Sequence, residues 1–520
     1  MSFVDRLQRH NRQGFSLVAG ARIAWVLLLV TVATFLTYLP GVNNLFAAED
    51  FDQLAVATLD MSWARFLSIQ FRPLRLVLIA MIDSLFGLNP APHHLLTLAF
   101  HLLNVLMVYF LVRLLTGNTQ QSTVAAILFA FYPRHHESIL FLSAGASLQT
   151  SVFFLASIIA FLRYGEAKKA GWLFLSITTF ILALSGHEMA ATLPIVLLAM
   201  DHIYLERTTL RHWCVRLFKR YALYGGCLLL YAVLSVWVKL RHPLDSVGPT
   251  QGYYLTGVGI RQVKTFASYL VYIFFPQIRL RSLDIDPLTV LLSVGLVSGC
   301  VLLVIKDVCN SRFWVIWIAI TLMPFVLFVP YGNADRYFYL AAVGACALLA
   351  GLGQRGYQAL RQSSIVGAMA LVVGLLVLYV GSSAFIIQQQ IRDWRRAGTV
   401  AKQCIEQVKA MYPHLGPEAR VYVADLPGRL GYASVFLGGG FEGAMRLAYG
   451  DPAIRELHTR DPIVISEIRS SASQAPPSPP SGNIYLFLYS HEKQRIVDYT
   501  PYVGALLDTL DRPVWYSYDF

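Results

Sequence analysis

The residue types best suited to chemistry begin with an acidic run, Glu49-Asp50-Phe51-Asp52, shortly after the first strongly apolar segment. Carboxylates clustered at a membrane interface can take a proton from an acceptor hydroxyl or hold a divalent cation such as Mg²⁺ or Mn²⁺. A solvated acidic loop is the alternative that the run alone leaves open. We predict Asp50 and Glu49 as catalytic residues, with Asp52 joining them as a ligand if a metal takes part.

A basic group suited to phosphate follows at Arg72, directly before Pro73 and an apolar stretch of about 15 residues, too short to cross a bilayer. Proline is favoured in the first turn of a helix, so this stretch predicts a helix along the membrane surface. Arg72 and Arg75 would then lie at headgroup level, where guanidinium groups bind phosphate. Contact with ordinary lipid headgroups is the alternative.

A polar stripe occupies the next apolar segment, where His94, His101 and Asn104 fall on one helical face. Polar groups are costly inside a bilayer, so this face is expected to point into a helix bundle. The stripe either serves a site or provides hydrogen bonds between helices.

Three further motifs carry charged side chains. The first is Tyr132-Pro133-Arg134-His135-His136-Glu137, the second is His187-Glu188, and the third is Asp335-Arg336-Tyr337. Adjacent histidines point apart on a helix and no HExxH spacing occurs, so the first motif does not indicate zinc. A phosphate-facing or acid/base cluster is the better interpretation.

The elements that must position these residues are membrane helices. Among the 520 residues 56% are apolar and only 14% are charged, against roughly 25% charged in soluble domains. Apolar runs long enough to span recur along most of the chain, which predicts an all-α polytopic bundle of about 11 or 12 transmembrane helices. The net charge of +12 fits the Lys and Arg excess of cytoplasmic loops better than nucleic-acid binding.

The loops at 163–169 and 207–220 are strongly basic and therefore predicted to be cytoplasmic. This predicts a cytoplasmic leader at 1–20 and a transmembrane module at 21–388, with an external loop at 41–92 that carries surface helices. Residues 261–276 are basic at one end and apolar at the other, and we expect an external interfacial or re-entrant helix there. Lys264, Arg279 and Arg281 would flank this helix.

The last part of the chain, 389–520, differs in kind. It has a helical pattern at 396–411, strand-like segments at 421–427 and 484–490, and a Ser/Pro linker at 470–482. We predict a small soluble α/β domain on the extracytoplasmic side. No N-x-Ser/Thr sequon occurs in the chain, so the prediction for localisation is a multi-pass protein of a bacterial inner membrane.

Taken in order, the motifs resemble those of the GT-C superfamily of polytopic glycosyltransferases, particularly the transmembrane-and-TPR O-mannosyltransferases and their bacterial relatives. The resemblance covers roughly residues 20 to 350 and consists of the acidic pair, Arg72-Pro73-Leu74, the histidine stripe, and the motifs at 132–137, 186–194 and 335–339. The chain departs from the family pattern at Glu49, Thr97, Tyr132 and His187, and it has no TPR array.

This resemblance implies transfer of a sugar from a polyprenyl-phosphate donor, which enters from the bilayer, to a hydroxyl of a protein or glycan. Asp50 would deprotonate that hydroxyl, which attacks with inversion, while basic groups stabilise the departing lipid phosphate. The predicted substrate- and phosphate-binding residues are Arg72, His94, Arg134, His135, Glu137, His187, Glu188, Asp335, Arg336, Tyr337, Lys264 and Arg279.

Two other functional classes fit a polytopic protein. A lipid or sugar transporter or flippase would also place polar groups inside a bundle, but such folds commonly have paired halves with broken helices, and no duplication is visible here. A non-catalytic envelope assembly protein would use its external domain to bind partners and would tolerate loss of Asp50 and Arg72 together.

Overall fold

The computed structural model describes residues 17–59, 72–204, 210–241, 259–278, 287–328, 334–474, 476–477 and 483–512. Its membrane part is helical throughout these ranges. The helices are α1 (Leu17–Tyr38), α2 (Asp50–Leu59), α3 (Pro73–Phe86), α4 (Pro90–Thr116), α5 (Thr119–Ala130), α6 (His136–Leu140), α7 (Ala146–Ala167), α8 (Ala170–Gly186), α9 (Leu193–Tyr204), α10 (Leu210–Arg241), α11 (Ile260–Phe274), α12 (Pro287–Lys306), α13 (Ser311–Phe328), α14 (Tyr339–Leu360) and α15 (Ile365–Met411).

Within the described ranges, six helical segments are long and apolar enough to cross a membrane. They are Ala21–Gly41, Pro90–Thr116, Ser143–Ala167, Val308–Leu327, Asp335–Leu360 and Ile365–Met411. Three shorter apolar segments accompany them, Ala170–Gly186, Tyr221–Trp237 and Val290–Lys306. The predicted multi-pass helical membrane protein is thereby confirmed.

Local sequence signals explain where the long helices begin and end. The Asn89 side chain accepts a hydrogen bond from the Ala91 N–H and Pro90 opens α4, while Gly117 ends it in the left-handed conformation at φ 69°. Asn118 then caps α5 by accepting from the Gln121 N–H. Because Asn favours N-caps and Gly favours the position after a helix, this sequence makes a tight turn between two packed helices.

The core of the bundle forms around α14, whose first half is almost entirely buried. Trp317 of α13 donates its indole N–H to the Leu340 carbonyl at 2.9 Å. A Cβ at Gly344 would lie 2.7 Å from the Trp317 ring, so glycine is required for this close approach. The contact fixes α14 against α13.

Helix α15 runs for 47 residues without interruption. The predicted boundary between residues 388 and 389 therefore falls inside a continuous helix. Beyond that point Ile391, Trp394 and Ala397 are buried, and a Cβ at Gly398 would lie 2.5 Å from the Leu45 carbonyl oxygen. The second half of α15 thus packs against the loop after α1 and connects the bundle to the C-terminal unit.

The C-terminal unit is a four-stranded sheet with helices, as the sequence predicts. Its strands are β1 (Arg420–Ala424), β4 (Arg455–Thr459), β5 (Ile484–Ser490) and β6 (Arg495–Asp498), and a separate hairpin is formed by β2 (Arg429–Leu430) and β3 (Ala433–Ser434). The sheet order is β4-β1-β5-β6. β1 pairs in parallel with β4 and β5, while β6 is antiparallel to β5. Helix α16 (Gly440–Tyr449) precedes β4, α17 (Pro462–Gln474) precedes β5, and α18 is Leu507–Leu510.

Two local expectations in this unit need correction. Strand β1 ends at Ala424, before the predicted end at 427, because Asp425 has φ 61° and Pro427 follows, and both disfavour a continuing strand. The predicted linker at 470–482 begins later, because α17 continues through Gln474. Residue 475 and residues 478–482 lie outside the described residues.

Candidate active site

The acidic run lies where a loop enters α2, with Glu49 in the loop and Asp50 to Asp52 in the first turn of the helix. Residues 47–52 are here called the acidic loop. Asp50 is only 1% exposed, and its two carboxylate oxygens accept hydrogen bonds from the Ser143 N–H at 2.9 Å and the Ala47 N–H at 3.3 Å. Burial raises the pKa of Asp50 to about 7, although these hydrogen bonds and the nearby Arg75 act in the opposite direction. Asp50 can therefore gain or lose a proton near neutral pH.

Glu49 lies beside Asp50 and is partly exposed. Its carboxylate accepts a hydrogen bond from the Ser143 hydroxyl at 3.4 Å. Burial raises the pKa of Glu49, while the positive charges of Arg336 and Arg72 lower it and Glu137 raises it further. These interactions place Glu49 close to three charged residues from distant parts of the sequence.

Arg72 pairs with Glu188 across 116 residues of sequence. The guanidinium donates two hydrogen bonds to the carboxylate, at 2.7 and 3.1 Å, in the two-pronged geometry that arginine favours. Burial alone would raise the pKa of Glu188, but Arg72 holds it below its usual range. His187 lies 3.4 Å from the same carboxylate, so the segment after α8 meets the segment before α3.

A second pair joins the 132–137 motif to the start of α14. Arg134 contacts Asp335 at 2.5 Å, and Asp335 also lies 2.9 Å from His136 Nε2. The indole N–H of Trp394 donates to His136 Nδ1 at 3.1 Å. Since an indole can only donate, His136 Nδ1 accepts and its Nε2–H donates to Asp335.

Helix α11 positions the Arg134 side chain from the other side. The guanidinium lies 4.0 Å from the centre of the Tyr272 ring and donates to the Ile278 carbonyl. Tyr132, two residues before Arg134, donates its hydroxyl to the carbonyls of Tyr272 and Ile273. The end of α11 therefore holds the side chains of Tyr132 and Arg134 in place.

Glu137 connects these groups to Arg336. Its carboxylate accepts from the Arg336 backbone N–H at 3.1 Å and lies 3.5 Å from the Arg336 guanidinium. The Arg336 guanidinium also lies 5.2 Å from the centre of the Tyr337 ring. The structure thus brings together most of the predicted site residues, namely Glu49, Asp50, Arg72, Arg134, Glu137, His187, Glu188, Asp335, Arg336 and Tyr337.

Three predicted residues lie apart from this cluster. His94 is buried behind the acidic loop, where its Nε2 contacts the Asn44 carbonyl at 3.1 Å. His135 packs among aromatic rings, with its ring centre 4.3 Å from that of Tyr339, and neither of its nitrogens has a hydrogen-bond partner among the described residues. Lys264 is exposed on α11. The remaining two predicted basic residues, Arg279 and Arg281, lie outside the described residues.

The histidine stripe bonds mainly to neighbouring helices. His101 contacts the Tyr339 hydroxyl at 2.8 Å, and Asn104 donates to the Leu148 carbonyl at 2.9 Å. This arrangement supports the interpretation of the stripe as helix-to-helix hydrogen bonding.

No group of three or more His, Cys, Asp or Glu side chains suited to a metal occurs in the part of the chain that the structure describes. At the acidic loop, each Asp50 oxygen already accepts a backbone N–H. The predicted metal option with Glu49, Asp50 and Asp52 therefore gains no support from this geometry.

The structure adds residues to the site beyond the predicted catalytic and substrate-binding ones. Arg75 is 1% exposed, and its Nε and Nη2 atoms have no hydrogen-bond partner within the described ranges. It follows Arg72 by one helical turn, so the sequence did place it nearby. His136 belongs to a predicted motif, but the sequence does not show that it forms a hydrogen bond with Asp335. For Ser143 and Trp394 no sequence signal was available.

The C-terminal unit also contributes to this site. Arg429 of β2 lies 3.7 Å from the Glu137 carboxylate, and the Ala48 N–H donates to the Val435 carbonyl at 2.8 Å. A Cβ at Gly440 would lie 2.0 Å from the Ala48 carbonyl oxygen, and one at Gly438 would lie 3.0 Å from a Glu49 carboxylate oxygen. The glycines before α16 thus let the acidic loop approach the positive end of that helix, which favours carboxylates.

Comparisons with known proteins agree with the motif pattern. No family model matches the chain. Over 116 residues it is 30% identical to human protein O-mannosyl-transferase TMTC3, and 31% identical to the mouse protein. The resemblance to the O-mannosyltransferases is confirmed over that segment. The segment covers 22% of this chain and 13% of the human relative, so the chain spans only a small part of the relatives it matches.

Two solved structures are similar over nearly the whole chain. ArnT from Cupriavidus metallidurans bound to undecaprenyl phosphate is 14% identical, with a TM-score of 0.49, over 95% of this chain and 97% of that chain. The apo form of the same protein is 13% identical with a TM-score of 0.48 over the same shares.

Proposed function

We propose that this protein is a membrane glycosyltransferase of the GT-C type that uses a polyprenyl-phosphate-linked sugar. The acceptor hydroxyl lies on a protein or glycan at the extracytoplasmic side of a bacterial inner membrane. The observation that carries the proposal is the approach of the Glu49 carboxylate, next to Asp50, to the guanidiniums of Arg72 and Arg336. A sugar transfer needs a base for the hydroxyl and cations for the departing phosphate, and both are present in this cluster.

In the proposed mechanism Asp50 takes the proton of the acceptor hydroxyl, and the oxygen attacks the anomeric carbon with inversion. The bond from that carbon to the lipid phosphate breaks, and Arg72 and Arg336 stabilise the phosphate. A pKa of about 7 suits Asp50 for this role, because a general base works best near the ambient pH.

Glu49 is the second candidate for the base, and its partial exposure favours it. Asp50 is buried, so a substrate must displace part of the acidic loop to reach it, whereas Glu49 already borders Arg72 and Arg336. In this arrangement Asp50 would fix the loop and Glu49 would contact the hydroxyl.

The experiment is transfer from a labelled polyprenyl-phosphate sugar to envelope extract, followed by mass spectrometry of proteins and glycans. The Asp50→Asn and Glu49→Gln variants are compared in the same reconstituted membranes. Loss of transfer in Asp50→Asn, by 100-fold or more with donor binding retained, supports Asp50 as the base. The reverse ranking assigns that role to Glu49. Undiminished transfer in both variants refutes the mechanism, and flux of the sugar lipid without transfer would indicate a transporter.

A further inference from the structure

The carboxyl ends of the three parallel strands β1, β4 and β5 lie at one edge of the C-terminal sheet. After β1 the chain passes to β4 on one side, and it then returns to β5 on the other side of β1. Open α/β sheets bind ligands in the crevice outside the carboxyl ends of their strands, where the strand order reverses. In this protein the strand order reverses between β1 and β5, and the residues that follow these two strands, Asp425 and His491, contact each other at 3.2 Å.

This edge faces the candidate active site. Residues 425–439, here called the β1 exit loop, leave the carboxyl end of β1 and reach the bundle. Arg429 in this loop lies 3.7 Å from Glu137, and Val435 accepts the Ala48 N–H. A molecule seated over the edge would therefore extend toward the Glu49 carboxylate.

The edge is rich in guanidinium groups. Arg460, the first residue after β4, lies over the β1 exit loop so closely that a Cβ at Gly428 would be 2.8 to 3.0 Å from its guanidinium. Arg429 is the next residue and is half exposed. No described carboxylate forms an ion pair with Arg460. The guanidinium of Arg460 thus lies against the residue that directly precedes Arg429, and guanidinium groups at one edge are suited to a carboxylate or phosphate.

The Asp425 carboxylate lies at the same edge of the sheet and contacts two basic side chains. It lies 3.2 Å from His491 Nε2 and 3.9 Å from Arg469. The side chains of Arg469 and His491 are both more than half exposed, so their nitrogen atoms remain accessible to a ligand at this edge. Three guanidinium groups, those of Arg429, Arg460 and Arg469, therefore lie along this edge.

We propose that the carboxyl edge of the C-terminal sheet binds the acceptor, and that the acceptor carries an anionic group held by Arg429 and Arg460. This inference rests on the proposed glycosyltransferase function and narrows the acceptor to molecules with a carboxylate or phosphate. The anionic group seats on the edge, while the hydroxyl to be modified reaches the Glu49-Asp50 pair.

Calorimetric titration of the full-length protein in detergent tests the site without needing catalysis. The probes are inorganic phosphate and glucuronate, which separate the two anion types. We expect saturable binding of at least one probe, and an Arg460→Gln variant should bind it at least ten-fold more weakly. The matched control is Arg420→Gln, an exposed arginine at the amino end of β1, which changes the net charge equally. No binding to the wild type, or equal weakening in both variants, overturns the proposal.

Transfer kinetics with envelope extract test the acceptor role. The probe that binds should compete with the acceptor and not with the polyprenyl-phosphate sugar, and Arg460→Gln should raise the acceptor KM at unchanged donor KM. Competition with the donor overturns the proposal, as does normal acceptor KM in Arg460→Gln. Absence of any transfer by the wild type would instead refute the proposed function, while the titration would still show whether an anion site exists.

Discussion

At the scale of single residues, Glu49 and Asp50 show how much the surroundings of a carboxylate matter. They are adjacent in sequence, yet one is partly exposed and the other is buried with both oxygens hydrogen-bonded to backbone N–H groups. The positive charges of Arg336 and Arg72 lower the pKa of Glu49, and that of Arg75 lowers the pKa of Asp50. Their roles are therefore expected to differ in pH dependence.

The pH dependence of kcat/KM tests the assignment of Asp50. Because burial raises the pKa of Asp50 to about 7 and a base acts in its deprotonated form, activity should fall roughly ten-fold per pH unit below that value and level off above it. Initial rates between pH 5 and pH 9 measure this. In Glu49→Gln the same acidic limb should persist, and a profile that is flat through pH 7 would contradict the assignment.

At the scale of single elements, α15 contributes a hydrogen bond that orients the partners of the Arg134–Asp335 ion pair. Trp394 on this helix donates to His136 Nδ1 and thereby keeps the Nε2–H directed at Asp335. Without this donor, His136 could carry its proton on Nδ1 and present a lone pair to the carboxylate.

Trp394→Phe should therefore reduce transfer several-fold, because Asp335 and its partner Arg134 lose a fixed orientation. Loss of one hydrogen bond costs about 1 kcal/mol, so a modest fall in Tm is expected as well. The control is Trp317→Phe, which removes the hydrogen bond to the Leu340 carbonyl outside the cluster. It should lower Tm to a similar extent and leave kcat unchanged, and equal activity loss in both variants would contradict the role of Trp394.

The beginning of α16 is a second element with a specific requirement. A Cβ at Gly440 would meet the Ala48 carbonyl oxygen, and one at Gly443 would lie 2.4 Å from the Asp52 backbone nitrogen. The helix can press against the acidic loop only because these positions lack side chains.

Gly440→Ala should displace the acidic loop, lowering both the stability, by about 1–3 kcal/mol, and the transfer rate. Thermal unfolding and kcat measure the two effects. Gly353→Ala on α14 is the control, since nothing lies within 4 Å of a Cβ there and alanine favours a helix. Wild-type activity in Gly440→Ala would show that the contact is not needed for positioning.

At the scale of the whole molecule, the bundle and the C-terminal unit meet at the candidate site. α15 passes from one into the other, and the unit supplies Arg429 and the backbone acceptor of Val435. A chain ending at Met411 should therefore insert into membranes as a helical bundle but lose transfer. Membrane extraction and circular dichroism check the insertion, and transfer in that shortened chain would contradict a shared site.

The class of protein and the order of the polar motifs could be predicted from the amino-acid sequence, and the capping residues that explain the ends of α4 and α5 are local sequence features. These features are local: hydropathy, capping residues and spacing act within a few helical turns. The resemblance to the O-mannosyltransferases was likewise visible from the motifs and is matched by a segment of TMTC3.

Which of those charged residues contact each other depends on the folded chain. Arg134 and Asp335 are 201 residues apart, and no local pattern states that they pair. His135 and His136 are neighbours, but successive helical residues point about 100° apart, so one enters an aromatic core and the other bonds Asp335. The contact of Arg429 with Glu137 depends on packing of the C-terminal unit, because contacts over such distances arise from the fold and not from spacing.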